Sequence, residues 1–170
     1  GVIEEAKAKG KFVIAYLDES TGNAAYFLAC AADRIYMHHS ADLNLIGLSS
    51  ERMYLKGLLD LVGIEPEFVR RSEYKSSPEQ FTRHEGSSAS REQSTDLLDD
   101  MFKSFVQAIA EGRQLNEAAV TSLIDSGPHS GEQALSKGLI DGLKYTDEMG
   151  NVFDEFFGSH HRMESEYKSI

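Results

Sequence analysis

Disulfide chemistry is closed to this chain. Cys30 is its single cysteine, so no internal bridge can form. It sits in the Ala-rich run 24–32 and reads as a small core residue rather than a nucleophile. Long hydrophobic runs are missing too. No apolar stretch reaches the ~18 residues that read as a membrane-spanning helix, and no secretory leader pattern is visible. Positive charge is scarce: 17 Lys and Arg stand against 28 Asp and Glu, a net charge of −11. An acidic chain repels phosphate backbones, which argues against nucleic acid as a partner. The usual cofactor and metal signatures are absent as well. There is no GxGxxG and no GxxxxGKS/T for a nucleotide, no HExxH for zinc, and no GxSxG elbow for a serine hydrolase. His38-His39 and His160-His161 are adjacent pairs without chelating spacing and read as solvated surface pairs, so neither a metal nor a cofactor is expected.

What is present suits one α/β domain. The 170 residues are 41% hydrophobic and 26% charged, enough to bury a core. Residues 1–10 read as the last turns of a helix with Gly10 as its stop, which makes the chain look truncated at its N-terminus. Residues 11–17 form a near-continuous apolar run, as in a strand buried on both faces of a parallel sheet. A turn over 18–22, an Ala-rich helix over 23–32 and a strand over 34–37 complete a strand–helix–strand unit.

Further expectations follow in chain order. A strand covers 43–48, and helical apolar spacing covers 51–62 with Gly63 as the stop. A strand over 67–71 leads to a polar loop, 72–77, closed by Pro78, and 81–90 reads as irregular. Ser90-Arg91-Glu92-Gln93 has the form of a capping box opening a long helix that ends at Gly112. Asn116 caps a second helix through Val120, Leu123 and Ile124, and Ser130 to Gln133 caps a third, stopped by Gly138. Leu139-Ile140 and 143–145 are apolar pieces that pack back on the core. A last helix covers 147–157, so the domain runs over 1–158 and 159–170 is a linker or tail.

One stretch invites a chemical reading. Ser72-Glu73-Tyr74-Lys75 matches S-x-x-K, but it lies at a strand end rather than a helix start, and the companion SDN and KTG motifs are missing, so it is no β-lactamase signal. What remains is Lys75, held between a strand end and Pro78 with Ser76-Ser77 after it. A lysine titrates near ~10.4, and desolvation that lowers its pKa by about 3–5 would make it a base near neutral pH. The residues leave two alternatives open, a buried base and a surface lysine in a polar loop.

The chain resembles the signal peptide peptidase A family, also called protease IV, of serine–lysine peptidases. The likeness runs from about Lys11 to Glu148. It rests on Lys11-Phe12-Val13-Ile14-Ala15, Tyr26-Phe27-Leu28-Ala29, Ala32-Asp33-Arg34-Ile35 and Leu55-Lys56-Gly57-Leu58-Leu59-Asp60. It continues through Glu73 to Phe81, Ser90-Arg91-Glu92, Ala110 to Leu115 and Ala134 to Asp141. No single motif decides it; their order and spacing together do.

The resemblance implies a crotonase/ClpP-like α/β fold. It implies an active site built from two similar domains, one bearing a lysine in a Tyr-Lys-Ser segment and the other a serine before two glycines at a helix start. Lys75 falls on the lysine position, as general base. The serine position falls on Asn23, followed by Ala24-Ala25 instead of glycines. Asn23 cannot be acylated in that role, and two Cβ atoms crowd the backbone that would hold an oxyanion. Ser20 is a poor substitute, three residues early and on the wrong side of Gly22. The implied partners are therefore a peptide substrate, a serine-bearing domain of the same or a neighbouring chain, and further copies in a homo-oligomer. Cleaved signal peptides or other hydrophobic peptides are the implied substrates, and the parent protein is expected to be membrane-associated. Ser76 or Ser77 would orient the lysine amine, or else face water. The rival readings are an inactive assembly domain of the same fold and an acyl-CoA-binding enzyme of the crotonase type. The acidic charge and the missing Gly-Gly turn argue against the last.

Overall fold

Residues 1–68 and 76–158 are described by the computed structural model. They divide into two units: Gly1–Ile46 with the described part of Ala108–Ile170, and Gly47–Gln107. In chain order the elements are α1 (Val2–Ala8), β1 (Ile14–Leu17), β2 (Thr21–Gly22), α2 (Asn23–Ala29), β3 (Arg34–Met37) and β4 (Asp42–Asn44). Then come α3 (Lys56–Leu61), α4 (Glu79–Thr82), α5 (Ser88–Arg113) and α6 (Glu117–Asp125). Last are β5 (His129–Ser130), α7 (Gly131–Ser136), β6 (Gly142–Leu143), a 3-10 turn at Thr146–Glu148, and α8 (Met149–Phe157).

The first unit is an α/β assembly built on two small sheets. In one, β3 lies between β1 and β6 and runs parallel to both, pairing Ile14 with Arg34 and Tyr36 with Gly142. The strand–helix–strand unit expected from the sequence is therefore β1–α2–β3. In the other sheet β4 pairs parallel with β2 and antiparallel with β5. Strand periodicity sends Tyr36 to one face of β3 and Ile35 and Met37 to the other. Tyr36 joins Met149 and Val152 of α8 in a buried cluster flanked by Ile14, Tyr16 and Phe156. Tyr26 of α2 is fully buried, and its phenol donates to the Leu139 carbonyl at 2.6 Å. Burial pushes that phenol's pKa far up, so it stays a neutral donor. Leu139 and Ile140 do pack into the core, as their apolar character requires.

Several boundaries differ from the sequence expectations, each for a local reason. β1 is half-buried rather than buried on both faces, because among the described residues it pairs on one side only. β4 ends at Asn44, short of 48, because the backbone of Ile46 pairs with a side chain instead of a strand. α3 begins at Lys56 rather than 51, since the Leu55 N–H goes to the Gln80 carbonyl at 2.6 Å. Glu67 and Phe68 are not in a strand, and 69–71 lie outside the described residues. The stretch 81–90 is not irregular throughout: α4 reaches Thr82, and α5 has begun by Ser88. Ser90 is inside α5, not its cap. The Ser90 N–H donates to the Ser87 hydroxyl at 3.2 Å, which makes Ser87 the capping side chain. By contrast the caps at Asn116 and Ser130 are where their sequences put them, each side chain accepting an N–H of its helix's first turn.

Gly112 is not a helix stop. α5 continues to Arg113 and ends as Gln114 turns to φ 55°. Gly112 serves a close approach instead, since a Cβ there would collide with the carbonyl oxygen of Cys30. Gly112→Ala is expected to cost about 1–3 kcal/mol by overpacking, read from urea denaturation. A loss under about 0.5 kcal/mol, the surface-substitution range, would contradict this packing.

His129 gives this unit a pH dependence just below neutrality. It is buried, with Nε2 2.9 Å from the Leu123 carbonyl and Nδ1 3.1 Å from the Lys137 ammonium. Nε2 therefore holds the proton and Nδ1 accepts. Burial first, and the Lys137 charge as well, hold its pKa below the ordinary value despite the Leu123 contact. A depressed histidine binds its proton more readily in the unfolded chain, so its contribution is complete above ~6.5 and is lost as pH falls below that. The melting temperature should drop between pH 7 and 5, with a shallower slope in His129→Gln.

Candidate functional site

At the start of α2, β2 delivers an extended Gly22 (φ −89°, ψ 177°) and the helix opens on Asn23. The Asn23 carboxamide is spent on the backbone of one residue: Nδ2 donates to the Ile46 carbonyl at 2.8 Å, and Oδ1 accepts the Ile46 N–H at 3.0 Å. The side chain thus acts as one more strand residue beyond β4. Both its polar atoms are engaged, so the position expected to be non-nucleophilic has a structural role. Ala24 and Ala25 are exposed on the first turn of α2. Ser20 is exposed in the preceding loop, and its hydroxyl has no hydrogen-bond partner among the described residues.

Other groups that could do chemistry in this unit are accounted for. Cys30 is buried, and burial pushes its thiol up to about 11, leaving it a protonated core residue. His38 shares Nδ1 with the Ser40 hydroxyl at 2.8 Å, and the His39 ring lies 4.5 Å from that of Tyr145. Among the described residues no His, Cys, Asp and Glu cluster could hold a metal; His160 and His161 lie outside them. A cavity of about 620 Å³ in this unit is lined by Val2, Ile3, Phe27, Leu28 and Ala31 among others. Its one thiol, Cys30, is held protonated by burial, and Lys7 on the same wall is paired with Asp33 at 3.1 Å.

Lys75, the candidate base, lies outside the described residues. The chain that follows it is described. Ser76 has its carbonyl on the Glu79 N–H at 2.9 Å, and its hydroxyl accepts a long contact from Arg52 Nη1 at 3.4 Å. Ser77 is exposed. Glu79 opens α4 and is completely buried. Its carboxylate accepts the Ser87 hydroxyl at 2.7 Å and the Ser87 N–H at 3.0 Å. Because Ser87 caps α5, Glu79 sits against the positive end of a 26-residue helix, which favours an anion there. Sequence reasoning passed over Glu79, Ser87 and Arg52. An acidic residue directly after a proline at a helix start was the available signal for the first; the others had none, because their partners are distant in sequence.

These features sit in a chain that matches the model of peptidase family S49 over residues 5–156. It is 30% identical to the chloroplastic serine protease SPPA of Arabidopsis thaliana, over 89% of this chain and 22% of that one. It is 33% identical to protease 4 of Haemophilus influenzae, over 69% of this chain and 19% of that one. With protease 4 of Salmonella typhi it shares 25% identity over 99% of its own length and 28% of the relative's. The chain therefore spans less than a third of each of these relatives. The family match covers nearly the whole chain, including the Tyr74-Lys75-Ser76 segment, and it establishes the membership: this chain belongs to peptidase family S49.

Proposed function

We propose that this chain is the lysine-bearing half of a serine–lysine peptidase site, with a crotonase/ClpP-like fold. Lys75 is the general base, and the serine comes from another domain of the same or a neighbouring chain. The observation that carries this reading is Asn23, whose carboxamide is committed to Ile46 at the helix start where the resemblance places a nucleophile. Membership of a peptidase family and the Tyr74-Lys75-Ser76 segment support it.

The chemistry follows from a neutral amine beside a hydroxyl. The Lys75 amine takes the proton of the partner serine as its Oγ attacks the scissile carbonyl. The resulting ammonium returns that proton to the leaving amine, and the C–N bond breaks to leave an acyl-enzyme. A water then attacks the ester, giving its proton to Lys75, and the proton passes back to the serine as the acid product leaves. Cleaved signal peptides and other hydrophobic peptides are the substrates, met by a membrane-associated homo-oligomer. No helix among the described residues is long and apolar enough to cross a membrane, so membrane attachment on this reading comes from elsewhere in the parent protein. The same Asn23 latch also fits an inactive assembly domain, and a single substitution separates the two readings.

Lys75→Ala in the full-length protein should lower kcat for peptide hydrolysis by about 10²–10⁴-fold, the usual worth of a general base; unchanged turnover would reject the catalytic role. This chain alone should not hydrolyse a peptide ester, and hydrolysis abolished by Ser20→Ala would contradict the two-half arrangement. Asn23→Ser removes two hydrogen bonds to Ile46 and should cost about 1–2 kcal/mol of stability. The new hydroxyl should not react with a fluorophosphonate probe in the isolated chain; labelling at residue 23 would show a nucleophile site that the latch merely occupies.

A further inference from the structure

Most charged groups that lie apart from open solvent are committed. Arg113 holds Asp141, Lys137 faces His129, and Glu79 receives Ser87. Arg52, in the second unit, is exposed, yet one of its donors is fixed in place. Its Nη1 donates to the Ser90 hydroxyl at 2.5 Å and makes the longer contact to Ser76. Ser90 is 2% exposed and is itself held, its N–H on Ser87 and its carbonyl on the Ser94 hydroxyl at 2.9 Å. One corner of the guanidinium is thus anchored to a rigid helix, while Nε and Nη2 have no partner among the described residues. No carboxylate among those residues pairs with Arg52, although the chain carries 28 of them. Arg91, the second cation on the same wall, is spent on Glu85 at 3.0 Å and the Gly86 carbonyl at 2.9 Å.

Arg52 lines a cavity of about 300 Å³ together with Ser50, Tyr54, Thr95 and Leu98. Ser50 and Thr95 are exposed and Tyr54 is half-buried, and their hydroxyls make no hydrogen bonds to described residues. An anchored, half-open guanidinium beside uncommitted hydroxyls suits a planar anion, because its fork matches a carboxylate with two parallel hydrogen bonds. The volume suits one terminal residue of a peptide. Ser76, which touches Arg52, directly follows Lys75 in the chain.

We propose that Arg52 captures the C-terminal α-carboxylate of a peptide substrate in this cavity, which rests on the peptidase reading above. The enzyme then favours peptides that already end in a free carboxylate, the products of an earlier endoproteolytic cut, over the same sequence within a longer chain.

The test uses the full-length protein and two otherwise identical hydrophobic peptides, one ending in a carboxylate and one in a carboxamide. The acid should have a KM about tenfold lower, the worth of one charge-assisted contact. Arg52→Gln should bring that ratio to about one, and Arg52→Lys should leave it in between, since a point charge lacks the fork. Equal KM values in the unaltered enzyme overturn the proposal without any variant. So does an amidated peptide with an added internal aspartate that matches the acid, because the site then reads charge and not a chain end. If the peptidase reading itself fails and no cleavage occurs, fluorescence anisotropy with the same peptides on the full-length Lys75→Ala protein still decides. The acid should bind about tenfold tighter than the amide; equal affinities overturn the site.

Discussion

The Arg113–Asp141 pair is the contact on which the first unit depends. Arg113 closes α5 and forks onto Asp141, with Nη1 2.9 Å from Oδ2 and Nη2 3.2 Å from Oδ1. Its Nε donates to the Gly138 carbonyl at 2.9 Å. Asp141 in turn accepts the Ile35 N–H at 2.7 Å, while its own N–H donates to the Ile35 carbonyl at 2.7 Å. Burial alone would raise the Asp141 pKa, but the Arg113 fork, the Ile35 N–H and the Arg34 charge outweigh it and hold the carboxyl below its ordinary value. One side chain thus extends the β3–β6 pairing and fastens it to the end of a long helix. The pair is partly open to water, its side chains 10% and 24% accessible, so its value to the fold lies in the hydrogen bonds it fixes on both elements.

The other contacts of this unit radiate from that point. Gly138 and Leu139 lie on the loop that Arg113 fixes, and Leu139 supplies the carbonyl for the Tyr26 phenol. Tyr26 sets the position of α2. Gly112, the residue before Arg113, lets the Cys30 carbonyl approach, so the far end of α2 is set by the same turn of α5. With the middle and end of α2 fixed, its first residue is placed beside the chain leaving β4, and Asn23 closes that gap with two hydrogen bonds. A serine could not: one hydroxyl cannot both accept the Ile46 N–H and donate to its carbonyl with the reach of a carboxamide.

How much of this was legible depended on the range of the interaction. Elements set by nearest neighbours were readable. The Ser130 cap, the Asn116 cap and the Gly138 stop each need only residues within a few positions, and each is where the sequence puts it. The strand–helix–strand order was readable from alternating apolar runs, and family membership from ordered short matches. Elements decided by distant partners were not. In the run Ser87-Ser88-Ala89-Ser90 any serine could cap, and the choice falls on Ser87 because the buried carboxylate of Glu79 engages it. Gly112 looked like a stop because a glycine at a helix end usually is one; its true reason, Cys30, lies just past the end of α2. At the site, the non-nucleophilic character of Asn23 was readable from its chemistry alone, while its bond to Ile46 required the fold.

On the two-half reading, a base and a nucleophile on separate domains tie catalysis to assembly, by elementary proton energetics. A solvated lysine titrates near ~10.4, so at neutral pH roughly one molecule in 10³ carries the free amine. The surrounding charge of −11 favours the ammonium further. Exclusion of water reverses this, because desolvation penalises the charged form by about 3–5 in pKa. On the two-half reading, the domain that brings the serine to Lys75 also covers it, so one event supplies the nucleophile and creates the base. On that reading a half without its partner lacks a hydroxyl to activate. Asn23 fits that division. Where a half supplies only the base, the helix start that would otherwise hold a nucleophile is free to serve the fold, and in this chain it ties α2 to the end of β4.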